Sequence, residues 1–151
     1  HVDHIGEGAT SGIEDRVKLL PLAPPQDMVR LAAGYDIGLS LETNVSENRL
    51  LCLTNKVFTY LLAGVPVMMS DTPAQKLISA DLGAAARLVV LDEPATIAAE
   101  LDPLPSSLAE SSAAAWSLGR ERYNWNVEKA VLLNAVENVL IHRGQEVPCR
   151  H

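Results

Sequence analysis

Thr54, Asn55 and Lys56 stand where the helically spaced run Val57-Phe-Thr-Tyr-Leu-Leu-Ala63 begins. The first backbone N–H groups of a helix lack intrahelical acceptors, and the macrodipole places its positive end there. Such a start suits a negatively charged ligand, and a phosphate is the expected occupant. Thr54 has the side chain of a good N-cap. Lys56 falls in the first turn, where the dipole opposes a cation. That is a poor place for a decorative lysine and a favourable one beside a bound diphosphate. The plainer alternative is a surface lysine with its stem packed sideways.

Other polar residues gather close by in sequence. Thr59, one turn further on, can aim its hydroxyl at the same ligand or bond back to the helix carbonyls. Arg49 reaches a phosphate or pairs with Glu47. Glu42, just after a predicted strand, binds sugar or ribose hydroxyls or simply solvates its loop. Asn48 belongs to the same polar stretch, and together these residues define the candidate ligand-binding set.

The elements that must position them follow from apolar spacing. Residues 1–5 read as a short strand and residues 17–20 as another, closed by Pro21-Leu-Ala-Pro-Pro25. A helix opens at Gln26-Asp27 after the prolines, turns Met28, Val29, Leu31 and Ala32 inward, and ends at Gly34. Residues 36–41 form a strand and 42–48 a polar loop. The helix begun at Thr54 runs to Ala63, is stopped by Gly64, and leads into Val65-Pro-Val-Met-Met69. A strand apolar at every position is buried on both faces, as in parallel sheets. Ser70-Asp-Thr-Pro73 caps a further helix with Leu77 and Ile78 inward and Gly83 at its end. A strand at 87–91 follows, and Asp92-Glu-Pro94 then starts a helix through Leu101. Residues 102–107 read as a linker, and 108–122 and 126–142 as two terminal helices. The second of these has Leu132, Ala135, Val136, Val139 and Leu140 on one face. Trp116 and Trp125 are expected to pack these helices on the sheet.

Strands alternating with helices at this spacing predict an α/β fold with a doubly wound, mostly parallel sheet and two C-terminal helices. In such sheets ligands bind beyond the carboxyl ends of the strands. The loops at 21–25, 42–55 and 70–73 lie on that edge, and the middle one carries Glu42, Asn48, Arg49, Thr54, Asn55 and Lys56 toward it. Asp36 begins its strand and therefore faces the opposite edge.

Composition narrows the classes further. The 151 residues suffice for a domain with a real core, and 48% apolar with 21% charged residues reads as globular. A net charge of −7 offers no basic stripe for nucleic acid, and 4% aromatic residues offer no stacking platform for single strands. Cys52 and Cys149 form no disulfide framework, which points to a reducing, cytoplasmic compartment. There is no Gly-x-Gly-x-x-Gly and no Walker loop. The four histidines lie at the two ends of the chain or on the last helix, away from any triad or zinc pattern, so no metal is expected. A phosphorelay receiver would need clustered acids at strand ends, which are missing. The chain opens at His1 in what reads as a fold already under way, as though processing or design had removed something upstream.

Taken in order, Asp15-Arg-Val-Lys-Leu-Leu-Pro21, Pro25-Gln-Asp-Met-Val-Arg-Leu-Ala-Ala-Gly-Tyr-Asp-Ile-Gly-Leu39, Asn55-Lys-Val-Phe-Thr-Tyr-Leu-Leu-Ala-Gly-Val-Pro-Val67 with Asp71, and the late Arg122-Tyr-Asn-Trp-Asn126 resemble the glycosyl transferases group 1. These are retaining, family-4-like enzymes of the GT-B fold that use nucleotide sugars. The resemblance spans about residues 14–142. It implies that residues 1–142 are a Rossmann-like, donor-binding C-terminal domain, that 143–151 are a tail, and that an N-terminal acceptor domain is missing. That missing half is the implied partner, and any peripheral membrane association would run through it.

By the same resemblance, Asn55 and Lys56 match an asparagine–lysine pair found in one branch of the family. Lys56 takes the catalytic role of stabilising the departing diphosphate, with the nucleotide sugar as donor substrate and no cofactor. Many members carry two glutamates eight positions apart, and here those positions are Leu51 and Thr59. The departure leaves two readings: a glycosyltransferase whose sugar contacts come from loop residues such as Glu42 or Asn48, or a non-catalytic relative kept for binding or assembly.

Overall fold

The computed structural model describes residues 20–43 and 46–145, with side chains to residue 141. The strands predicted at 1–5 and 17–20 lie outside the described residues, apart from Leu20, which is exposed and irregular. In chain order the elements are a 3₁₀ turn at Pro25–Asp27, α1 (Met28–Ala32), β1 (Gly38–Ser40), α2 (Glu47–Leu51), α3 (Asn55–Leu62) and β2 (Val67–Ser70). Then come α4 (Pro73–Leu82), a 3₁₀ turn at Gly83–Ala85, β3 (Ala86–Val89), α5 (Pro94–Leu101), α6 (Leu104–Glu121) and α7 (Trp125–Gln145).

The three described strands form one parallel sheet in the order β1-β2-β3, with Gly38 opposite Val67 and Val67 opposite Ala86. Every residue of central β2 is buried, as its unbroken apolar run requires. The α/β architecture with a parallel sheet is therefore present. The order advances in one direction, whereas a doubly wound sheet needs a reversal of strand order.

Val57 and Leu61 of α3, Val67 and Met69 of β2, Ile78 and Leu82 of α4, Ala85 and Ala115 form the core. Full burial of the valine, leucine, isoleucine and methionine side chains among these contributes about 1.5–3 kcal/mol each. Helix α3 ends where predicted, because Gly64 adopts φ 71°, a left-handed conformation that side chains with a Cβ disfavour. Helix α6 crosses close to α3: a Cβ on Gly119 would fall on the Leu61 carbonyl and the Leu62 backbone. That glycine, unremarked in the sequence, sets how closely the two helices pack.

Several expectations are corrected. In α1, Met28 and Leu31 are each 36% exposed and only Ala32 is buried, because a helix this short presents one position to its neighbours. Leu77 is exposed, and Ile78 and Leu82 carry the buried face of α4. The expected linker at 102–107 shrinks to Asp102 and Pro103. Pro105 sits in the first turn of α6, where its missing N–H costs nothing. Residue range 42–48 is not all loop, since α2 begins at Glu47 with Ser46 as its cap. Trp116 and Trp125 are 51% and 67% exposed and do not join the core. Leu132, Val136, Val139 and Leu140 on α7 are exposed as well.

Candidate functional site at the carboxyl edge of the sheet

Just beyond β1 and β2 the sequence places short polar residues, and the fold buries them together. Ser40, Glu42, Ser70, Thr72 and Gln75 are all buried. A buried polar group is tolerated when it is hydrogen-bonded, and most of these are. The Glu42 backbone N–H donates to Ser70 Oγ, tying the exit of β1 to the end of β2. Gln75 Nε2 donates to the Ser40 carbonyl at 2.8 Å and lies 3.1 Å from Ser40 Oγ. Thr72 caps α4 by accepting from the Gln75 N–H. Ser40 Oγ and Thr54 Oγ1 are 3.3 Å apart, which joins the seam to the start of α3.

Glu42 is the centre of this edge. Its side chain is 2% exposed, and two cations converge on it. Arg49 Nη1 donates to Glu42 Oε2 at 2.8 Å, a charge-assisted hydrogen bond of good length. Lys56 Nζ lies 3.7 Å from Oε1, within ion-pair range but beyond hydrogen-bond reach. Glu42 Oε1 is thus buried without a hydrogen-bond partner, and so is Gln75 Oε1. The arginine and lysine side chains are 45% and 33% exposed, so both cations lie between the buried carboxylate and solvent. Two cations and one carboxylate leave the cluster a charge of +1. It sits at the start of an eight-residue helix whose first turn carries no acid.

Of the residues singled out in the sequence, Glu42, Arg49, Thr54 and Lys56 come together here. Arg49 pairs with Glu42 and not with Glu47. Thr54 occupies the N-cap position of α3, but its hydroxyl makes no capping bond and turns to Ser40 instead. Lys56 is not a free cation, since Glu42 pairs with it and offsets the dipole that would oppose it. Three others stand apart from the cluster. Asn48 accepts from Cys52 Sγ within its own short helix. Thr59 bonds back to the Asn55 carbonyl at 3.0 Å, the local alternative. Asn55 is exposed and lines a separate groove.

That groove, about 970 Å³, runs between α3, α4 and the α6–α7 turn, and Leu53, Phe58, Leu77, Tyr123 and Trp125 give it an apolar wall. Of its charged residues Asp81, Arg122 and Glu128, the first two pair at 2.9 Å. Burial pushes the Tyr123 phenol above its ordinary range, with Arg122 acting against that shift. Among the described residues, the buried carboxylate with two cations on it belongs to the Glu42 cluster and not to this groove.

Ser70 and Thr72 lie in the loop expected at this edge, and Thr72 caps α4 as expected, whereas Ser40 and Gln75 carried no expectation from the sequence. Serines closing two successive apolar strands were a readable signal, whereas Gln75 looked like an ordinary polar residue in a helix. Among the described residues no group of three or more potential metal ligands converges, and no helix is long and apolar enough to cross a membrane. Comparison with known protein families, curated proteins and solved structures gives no match to the chain.

Proposed function

We propose that this chain is the donor-binding domain of a glycosyltransferase and that it holds the diphosphate of a nucleotide sugar at the start of α3. The observation that carries the reading is the convergence of Arg49 and Lys56 over buried Glu42, at the carboxyl edge of parallel strands. Phosphate oxygens would be met by two outward cations and by the unpaired N–H groups of the first helical turn. As the sugar departs, negative charge grows on the diphosphate, and groups already fixed in place stabilise it without reorganisation. In this scheme Lys56 takes that task, and a nucleotide sugar needs no separate cofactor. In this reading an acceptor-binding half in the same cytoplasmic enzyme completes the cleft. The exposed apolar side chains of α7 support that, because large apolar surface left open to solvent marks a site of association.

The test is calorimetric titration of the chain with nucleoside diphosphates. Replacing Lys56 by Ala is expected to weaken binding about tenfold to a hundredfold, the range of one charge-assisted contact. Affinity unchanged by Lys56→Ala would remove the phosphate assignment. A second reading, a non-catalytic binding or assembly domain, is favoured by one observation. At the two positions where the resemblance leads one to look for glutamates, Leu51 is exposed and the Thr59 hydroxyl is spent on its own helix. Tight diphosphate binding without donor hydrolysis or transfer, once the other half is supplied, would select that reading.

A further inference from the structure

We propose that Glu42 is a positioning residue whose buried carboxylate holds Arg49 and Lys56 side by side as a clamp selective for diphosphate over monophosphate. The inference rests on the phosphate-site reading above and concerns how that site chooses its anion. Each cation attends a different oxygen of the same carboxylate, Arg49 on Oε2 at 2.8 Å and Lys56 near Oε1 at 3.7 Å. They therefore cannot collapse onto one point, nor drift apart as two long surface side chains otherwise would. Glu42 itself is fixed, with its backbone N–H bonded to Ser70 at the end of the neighbouring strand and its side chain enclosed. Oε1 lacks a hydrogen-bond partner, so Lys56 is held by charge alone and keeps its own N–H donors for a ligand.

The carboxylate also lowers the charge offered to an anion. Were it only a competing charge, its removal would raise the cluster from +1 to +2. Every anion would then bind more tightly, the more highly charged one most of all. A positioning role predicts the reverse for selectivity. With Gln at position 42 the cations lose their common anchor, and a diphosphate must order both side chains on binding. A single phosphate needs only one of them and gains from the added positive charge.

Inorganic pyrophosphate and inorganic phosphate are the probes, titrated into the whole chain at fixed ionic strength. The wild-type chain should prefer pyrophosphate, and Glu42→Gln should lower the ratio of the two affinities about tenfold, the scale of one lost charge-assisted contact. Glu42→Asp keeps the charge but shortens the anchor by one methylene, and it should lower the same ratio. This second variant carries the test if the amide does not fold. A ratio that rises in Glu42→Gln, or one that neither variant changes, overturns the positioning role while leaving the phosphate site intact. A wild-type chain that binds neither pyrophosphate nor nucleoside diphosphates removes both.

Discussion

A lysine in the first turn of a helix works against the dipole, and Lys56 shows how a fold makes such a residue tolerable. Glu42 reaches it from the end of β1 and supplies the opposing charge. The cost is a buried carboxylate, which is acceptable here because Arg49 meets it at hydrogen-bond distance. Gln75 plays a comparable part without charge, donating to the Ser40 carbonyl from a fully buried position. Gln75→Leu keeps the approximate volume and removes the donor. It should destabilise the domain by about 1–3 kcal/mol, the cost of an unpaired buried acceptor, read from the midpoint of urea unfolding. A loss near zero would mean that the Ser40 carbonyl finds another donor and that the seam is not structural.

Helix α3 carries two loads at the scale of elements. Val57 and Leu61 pack the core beneath it, and its first turn forms the candidate site. Helix α6 lies against the other end of α3, across Gly119. Gly119→Ala would gain about 1 kcal/mol of helix propensity. It would also drive a methyl group into the backbone of α3, and overpacking of this kind costs about 1–3 kcal/mol. The clash is with backbone, which cannot swing aside, so a net loss of stability is expected in thermal unfolding. A stabilised variant would show that α6 can withdraw from α3 freely.

At the scale of the whole molecule, the described residues divide into a packed body and a projecting helix. Val131, Leu132, Leu133, Val136, Val139, Leu140 and Ile141 are all at least 47% exposed. Apolar side chains so placed contribute little to the fold of the body and invite association. Leu132→Glu with Val136→Glu should leave the thermal midpoint of the body nearly unchanged, within the roughly 0.5 kcal/mol typical of surface substitutions. The same pair should lower concentration-dependent light scattering. A large fall in the midpoint would mean that α7 folds back on the body in solution.

Local chemistry was enough to locate much of this. Pro66 and the apolar residues around it could only be a buried strand joint, Gly64 marked the end of α3, and Thr72-Pro73 opened α4, because each depends on near neighbours in the chain. The grouping of Glu42, Arg49 and Lys56 within one polar stretch and the following helix start was legible for the same reason. Their roles were not. Whether Arg49 would pair with Glu47 or Glu42, and whether Thr54 would cap its helix or turn to Ser40, depended on where β1 ends relative to α2 and α3. Ser70 and Gln75 entered the cluster from 28 and 35 residues away, a proximity created by parallel strand pairing. The exposed tryptophans and α7 mark the converse limit. Apolar spacing says which side chains would gain from burial, but only tertiary packing decides which of them have something to be buried against. The helix start at Thr54, Asn55 and Lys56 was written in the sequence, and the buried carboxylate beneath it belongs to the fold.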